Sequence, residues 1–85
     1  MKRKQANPFP TIARLLRVVS QPARLKILLC MDGGEVSVSE LEARLQLRQA
    51  YISQQLMALR KAGLVSRRRA GRNAYYRLAD RRLTN

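Results

Sequence analysis

Residues 49–64 read "QAYISQQLMALRKAGL", a helical stretch with two opposed faces. At 100° per residue, Ile52, Leu56 and Leu59 share one side. Ala50, Gln54, Met57 and Lys61 project from the other, flanked by Tyr51, Ser53 and Ala58. Gly63 supplies the stop, because helices commonly end at a residue in the left-handed region. The stretch is therefore a helix buried along one side that offers Gln, Tyr and Ser from its first turns.

The flanking sequence places this helix fourth in a chain of short elements. "SELE" at 39–42 matches a capping box, with Ser39 as N-cap and Glu42 three residues on. It opens a third helix with Leu41 and Leu45 as its apolar stripe, and "QLR" at 46–48 is a tight link to the fourth. Upstream, Ser20 is a good N-cap and Pro22 suits the first turn of a second helix, "QPARLKILLCM". Leu25, Leu28 and Leu29 lie on one side of it, and Ile27, Cys30 and Met31 on much of the other. A helix apolar on most sides is expected to be central and buried. "DGG" ends it, and "EVSV" at 35–38 can supply a very short strand.

The first helix starts near Pro8 or Pro10 and carries Ile12, Leu15, Leu16 and Val19 at i, i+3, i+4 and i+7. Val18 lies off that stripe, which predicts a second apolar surface. Beyond Gly63, "LVSRRR" and "NAYYRL" are strand-like runs joined around "AGR", where Gly71 can supply a positive φ. Alternation puts Ala74, Tyr76 and Leu78 on one face, and Tyr75 and Arg77 on the other. The chain divides into a flexible basic arm over 1–7, one domain over 8–80 and a short tail over 81–85.

Composition bounds the function. With 85 residues and 46% hydrophobic content there is one modest core and no case for wholesale disorder. Eighteen Lys and Arg against five Asp and Glu give a formal charge of +13, which points to a polyanionic partner. The longest apolar run, Ile27 to Met31, is too short to span a bilayer, and prolines and arginines interrupt any leader after "MKRK". A cytoplasmic protein without membrane association is expected. One cysteine and no histidine leave no internal disulfide, no zinc finger and no nucleophile–base pair, so neither an enzyme nor a cofactor is expected.

Two short helices joined by a tight turn, followed by a basic hairpin, describe a winged helix-turn-helix. The expected fold is mainly α with a small β-hairpin: about four helices plus a two-stranded wing. The fourth helix would enter the major groove of double-stranded DNA with Gln49, Ala50, Tyr51, Ser53 and Gln54. Gln54 can pair bidentately with adenine, and Ala50 can touch a thymine methyl. Arg48, Lys61, Arg67, Arg68, Arg69 and Arg72 would grip the backbone or the minor groove. Taken singly, polar helix residues and arginine runs are ordinary solvated surface, and Tyr75 and Tyr76 are ordinary sheet packing. Their order and spacing together carry the expectation.

"SQPARLKILLCM" and "EVSVSELEARLQLRQAYISQQLMALRKAGLVSRRRAGRNAYYRL" resemble the ArsR-type (arsenic-repressor-like) winged-helix transcription regulators. The resemblance covers roughly residues 12–78, with "PARLKIL", "SELE", "ISQQLMALRKAGLV" and "GRNAYYRL" as its most specific elements. It implies a dimeric repressor that binds a palindromic operator and releases it on a signal. Metal-sensing members resemble "ELCVCDL" where this chain has "EVSVSEL", so Ser37 and Ser39 replace thiolates and grip soft metals poorly. The family's second metal site lies on a C-terminal helix rich in His and acids. This chain has no histidine and ends at Asn85, so no metal is expected. Redox-sensing relatives use two cysteines, one of them in the second helix. Cys30 stands there without a partner in the chain, either as an inert small hydrophobe or as a sensor needing an intersubunit bond or external thiol.

Arg48 stands where the family commonly has a capping residue, and it can reach a phosphate instead. With most of the family's last helix missing, a homodimer is expected to pair through the first helix, with Leu15 and Val18 near the two-fold axis. Two other readings stay open: an RNA- or ribosome-binding winged helix, and a constitutive non-specific DNA-binding protein. RNA readers usually display exposed aromatics, and Tyr51, Tyr75 and Phe9 are the candidates here.

Overall fold

The computed structural model describes residues 9–79; the expected arm over 1–7 and tail over 81–85 lie outside these. The elements run α1 (Phe9–Val19), α2 (Pro22–Cys30), β1 (Val36–Ser37), α3 (Val38–Leu45), α4 (Gln49–Lys61), β2 (Val65–Ala70) and β3 (Asn73–Leu78). Four helices and the two-stranded hairpin of β2 and β3 follow the sequence expectation, and the short expected strand β1 joins the hairpin. The three strands form an antiparallel sheet in the order β1-β3-β2. β1 is the short "EVSV" strand, pairing Val36 with Tyr76 and Ser37 with Tyr75. The wing is thereby anchored to the segment that opens α3.

One core cluster contains Ile27, Met31, Val36, Leu41, Ile52, Leu56, Leu59, Val65 and Tyr76. It draws on α2, α3, α4 and all three strands, while α1 contributes the half-buried Val18. This revises the first helix. Val18, off the predicted stripe, packs on the core, whereas the stripe residues Ile12 and Leu16 are 50% and 61% exposed. It revises α2 as well. Ile27 and Met31 are buried, but Leu25 and Leu29 are 47% and 66% exposed, so this helix is not central. An apolar pattern on both sides shows that both sides need covering; it does not say that this chain covers them.

The caps also differ from expectation. Ser37, not Ser39, is the N-cap of α3: its Oγ accepts from the Glu40 N–H at 3.1 Å, and Glu40 Oε1 accepts from the Ser37 N–H at 2.8 Å. The motif occurs twice, at 37–40 and 39–42, and the flanking apolar residues decide between them. With Ser37 as cap, Val36 precedes it and Leu41 is the fourth helical residue, the pair a hydrophobic staple joins. Both are buried in the core. Capping at Ser39 would put the exposed Ala43 at Leu41's place. Ser20 likewise does not cap α2. Its hydroxyl donates to the Arg17 carbonyl at 2.8 Å, closing α1, and the N-cap of α2 is Gln21 with no side-chain bond.

Two turns set the geometry of α4. Gln46 ends α3 at φ 58°, a left-handed conformation costing a non-glycine residue about 1 kcal/mol. Its N–H donates to the Glu42 carbonyl at 2.8 Å, and its side-chain amide to the Ala43 carbonyl at 2.9 Å, which offset that cost. At the far end Ala62 is the C-cap and Gly63 follows at φ 78°. Leu64 N–H donates to the Leu59 carbonyl and Gly63 N–H to the Arg60 carbonyl, the Schellman pair of bonds.

Candidate nucleic-acid interface

The back of α4 is fixed by apolar packing. Ile52, Leu56 and Leu59 are buried to within 1% of full enclosure. Gln49, Ala50, Tyr51, Ser53 and Gln54 are all exposed, so every residue expected to read bases is available to a partner. Arg48 precedes them as an N-cap with no side-chain cap bond, leaving its guanidinium free of a capping role.

A further residue orients the helix. Gln55 is only 7% exposed, and its Oε1 accepts from Arg24 Nε at 2.8 Å. Arg24 Nη1 also donates to the Val18 carbonyl at 3.2 Å. One α2 side chain therefore ties the end of α1 to the buried side of α4. Buried amides need partners, and a charged donor makes this bond stronger than a neutral one. The sequence signal was a lone Gln on the core side of the helix; its partner, 31 residues away, left no local trace. Arg44 plays a similar part, donating from Nη1 to the Cys30 carbonyl at the end of α2 at 3.3 Å.

The wing divides its arginines between two faces. Arg67 lies opposite Tyr76 and Arg69 opposite Ala74, while Arg68 lies opposite Tyr75. Arg67 and Arg69 thus share a face with Val65, and Arg68 points to the other side. There its Nε and Nη2 donate to the two Glu35 carboxylate oxygens at 2.9 and 2.8 Å, and its Cζ stands 5.1 Å from the Tyr75 ring centroid. This bidentate hydrogen bonding holds the Glu35 carboxyl below the usual carboxylate range and pushes the Arg68 guanidinium up. Arg68 was expected with the DNA-gripping cations but is engaged within the protein. Lys61, Arg67, Arg69 and Arg72 are exposed, as is Arg48.

Gly71 and Arg72 form the two-residue wing turn, with Gly71 at φ 63°, a region a Cβ would disfavour. The turn lies close to the helices. Arg72 and Asn73 line one shallow groove with Ser37 and Ser39 of the α3 entry and with Gln49 of α4. Val38 and Ala74 complete its lining, so polar residues far apart in sequence are gathered around Arg72. Tyr76 is buried and serves packing, as expected; Tyr75 is half-buried beneath Arg68.

The soft-metal pattern of the resemblance does not fit these residues. The Ser37 hydroxyl is committed to the helix cap, and Ser39 offers a neutral hydroxyl. Among the described residues, no three His, Cys, Asp or Glu side chains are grouped to hold a metal ion. Cys30 is a half-buried free thiol. Of the expected dimer residues, Leu15 is half-buried and Val18 packs on the core. The more exposed apolar side chains of this region are Ile12, Leu16, Leu25 and Leu29, which the sequence reading did not single out for assembly. No helix among the described residues is long and apolar enough to cross a membrane.

Comparison with known proteins gives the same architecture. A biofilm growth-associated repressor of Agrobacterium fabrum is 48% identical over 69 residues, covering 81% of this chain and 59% of the relative. HlyU from Vibrio cholerae superposes with a TM-score of 0.84 at 33% identity, over 93% of this chain and 86% of that one. The homodimeric winged helix-turn-helix DNA-binding domain Mb0332 of Mycobacterium bovis, a possible ArsR-family regulator, gives 0.79 at 28% identity, over 98% and 80%. The chain spans about three-fifths of the length of the curated relatives it matches. The family model for bacterial regulatory proteins of the arsR family matches residues 21–67. With that match across the helix-turn-helix and into the wing, the chain belongs to the arsR family of bacterial regulatory proteins, whose members here are regulators and not enzymes.

Proposed function

We propose that this protein is a cytoplasmic, sequence-specific transcription repressor that binds double-stranded DNA as a homodimer. One observation carries the reading. α4 is buried along Ile52–Leu56–Leu59 and exposes Gln49, Ala50, Tyr51, Ser53 and Gln54, with Gln49 lining one groove with Arg72 of the wing turn. A helix fits the major groove, and amide and hydroxyl side chains match the donors and acceptors of base edges there. Arg48, Lys61, Arg67, Arg69 and Arg72 hold phosphates or a narrow minor groove, which position the helix without reading sequence.

Homodimer formation is supported by the M. bovis domain and by the exposed Ile12, Leu16, Leu25 and Leu29 on α1 and α2. Leu15 on the same helix as Ile12 and Leu16 is half-buried, and Val18 packs on the core. Two-fold pairing would set two α4 helices about one turn of DNA apart. No metal takes part in this reading, since Ser37 and Ser39 stand where thiolates would be needed.

The test is a competition between a selected DNA duplex and structured RNA for the full chain, followed by footprinting on the duplex. Preferential retention of the duplex, with two protected half-sites, is expected. Preferential retention of RNA would favour an RNA-binding winged helix instead, and equal binding to all duplexes would favour a non-specific DNA-binding protein.

A further inference from the structure

We infer that Met57 is a specificity-determining residue of α4 that contacts the 5-methyl group of a thymine, an inference resting on the DNA-reading role proposed for this helix. Met57 is 57% exposed. A single exposed apolar side chain is ordinary in itself. Met57 differs by its place. Counted from Ala50, the positions i, i+3, i+4 and i+7 are Ala50, Ser53, Gln54 and Met57, and all four are exposed. A homeodomain's reading helix, lying along the groove, contacts bases from positions with this same spacing. Ile52, Leu56 and Leu59 face the opposite way into the core.

The distances agree. At about 1.5 Å per residue, Met57 lies roughly 10 Å along the axis from Ala50, about three base-pair steps. Gln54 falls between them. Lys61 is next on the same stripe and is exposed, so the apolar side chain sits between an amide and a cation. An apolar spot enclosed by polar and basic groups suits an apolar feature on a polyanion better than an apolar protein surface. In the major groove, the thymine methyl is the apolar group among the base edges. An unbranched thioether reaches and adapts to such a target without needing a hydrogen-bond partner.

The experiment removes one methyl at a time. The full chain selects its preferred duplex from a random pool, and each thymine of that duplex is replaced singly by uracil. At one thymine per half-site, uracil should weaken the parent about fourfold, the effect of burying roughly one carbon. Met57→Ala should bind the thymine and uracil forms equally at that position, and Met57→Leu should restore part of the difference. Ala50 can account for a second sensitive thymine, which Met57→Ala should leave unchanged. Denaturant midpoints of both variants should match the parent, since the side chain lies outside the core. If Met57→Ala keeps every thymine–uracil difference of the parent, the inference is overturned while α4 remains the reading helix. If selection yields no preferred duplex, both the inference and the proposed function fall.

Discussion

The α1–α2 pair and the α4–wing pair share one core but differ in how much large apolar side chain they leave exposed among their cations. On α1 and α2 the exposed side chains include the apolar Ile12, Leu16, Leu25 and Leu29, between 47% and 66% exposed, beside Arg14, Arg17 and Lys26. On α4 and the wing they are Gln49, Gln54, Lys61, Arg67, Arg69 and Arg72. The first surface loses free energy by staying wet; the second would lose it by being dried without a partner of opposite charge. In the proposed function the first surface would meet a second copy and the second would meet DNA. Each variant below alters one side and asks whether the other responds.

The largest effect should come from salt. If Arg48, Lys61, Arg67, Arg69 and Arg72 contact phosphates in both protomers, affinity should fall by about three to five orders of magnitude between 50 and 200 mM salt. Fluorescence anisotropy with a labelled duplex measures this. Dimer dissociation should move less over the same range if the contact rests on Ile12, Leu16, Leu25 and Leu29 rather than on the neighbouring Arg14, Arg17 and Lys26. A flat salt response of DNA binding would remove the contrast between the two faces.

Next in size is the core that both faces lean on. Ile52→Ala should cost about 2–5 kcal/mol in urea unfolding, a large share of the roughly 5–15 kcal/mol of a small domain. Leu29→Ala, at an exposed position, should shift the unfolding of dilute monomer by less than about 0.5 kcal/mol. If a second copy covers Leu29, that variant should lose stability increasingly as protein concentration rises, since association stabilises by mass action. Loss that does not depend on concentration would place Leu29 in the fold rather than in an interface.

These two positions also show how far the sequence reaches. The fourth helix, its buried Ile52–Leu56–Leu59 side, the hairpin and its Gly71 turn were legible because periodicity and turn chemistry are local. The exposure of Leu25 and Leu29 was not, because an apolar residue looks the same in sequence whether or not its own chain covers it. The α3 cap lies two residues before the expected one because "SVSE" and "SELE" both satisfy the capping pattern; the burial of Val36 and Leu41, which flank the first as a staple, decides between them. The Arg24–Gln55 bond and the capture of Arg68 by Glu35 join residues more than 30 positions apart. No reading of neighbours finds those, although strand alternation already separates Arg68 from Arg67 and Arg69.

Within the polar face, Gln54→Ala should cost about 1–3 kcal/mol on the preferred duplex and much less on unrelated DNA. Arg72→Ala should weaken both kinds of DNA by similar factors and lower the salt slope by about one. Parallel titrations on the two duplexes separate the roles. Equal losses for Gln54→Ala on both would make it a backbone contact, and the reading of sequence would have to come from elsewhere on α4.

The smallest effect should belong to the Arg68–Glu35 pair, where the wing meets the segment before β1. Both groups are solvent-accessible, so the pair contributes little even with bidentate geometry. Its sign is still testable. Arg68 holds the folded-state Glu35 carboxyl below its ordinary value, so the ionised form is favoured in the folded protein. The resulting stability is present above the unfolded carboxylate range and is lost as pH falls through the lowered folded value. Parent and Glu35→Gln should therefore differ slightly in urea midpoint at neutral pH and converge under acid. DNA affinity at neutral pH should be nearly unchanged by Glu35→Gln if Arg68 stays over Tyr75. A marked gain in affinity, with a steeper salt slope, would mean that the freed Arg68 joins the phosphate-contacting cations and that Glu35 had been holding it back. A midpoint difference that persists unchanged to low pH would show that the charge on Glu35 does nothing for the fold.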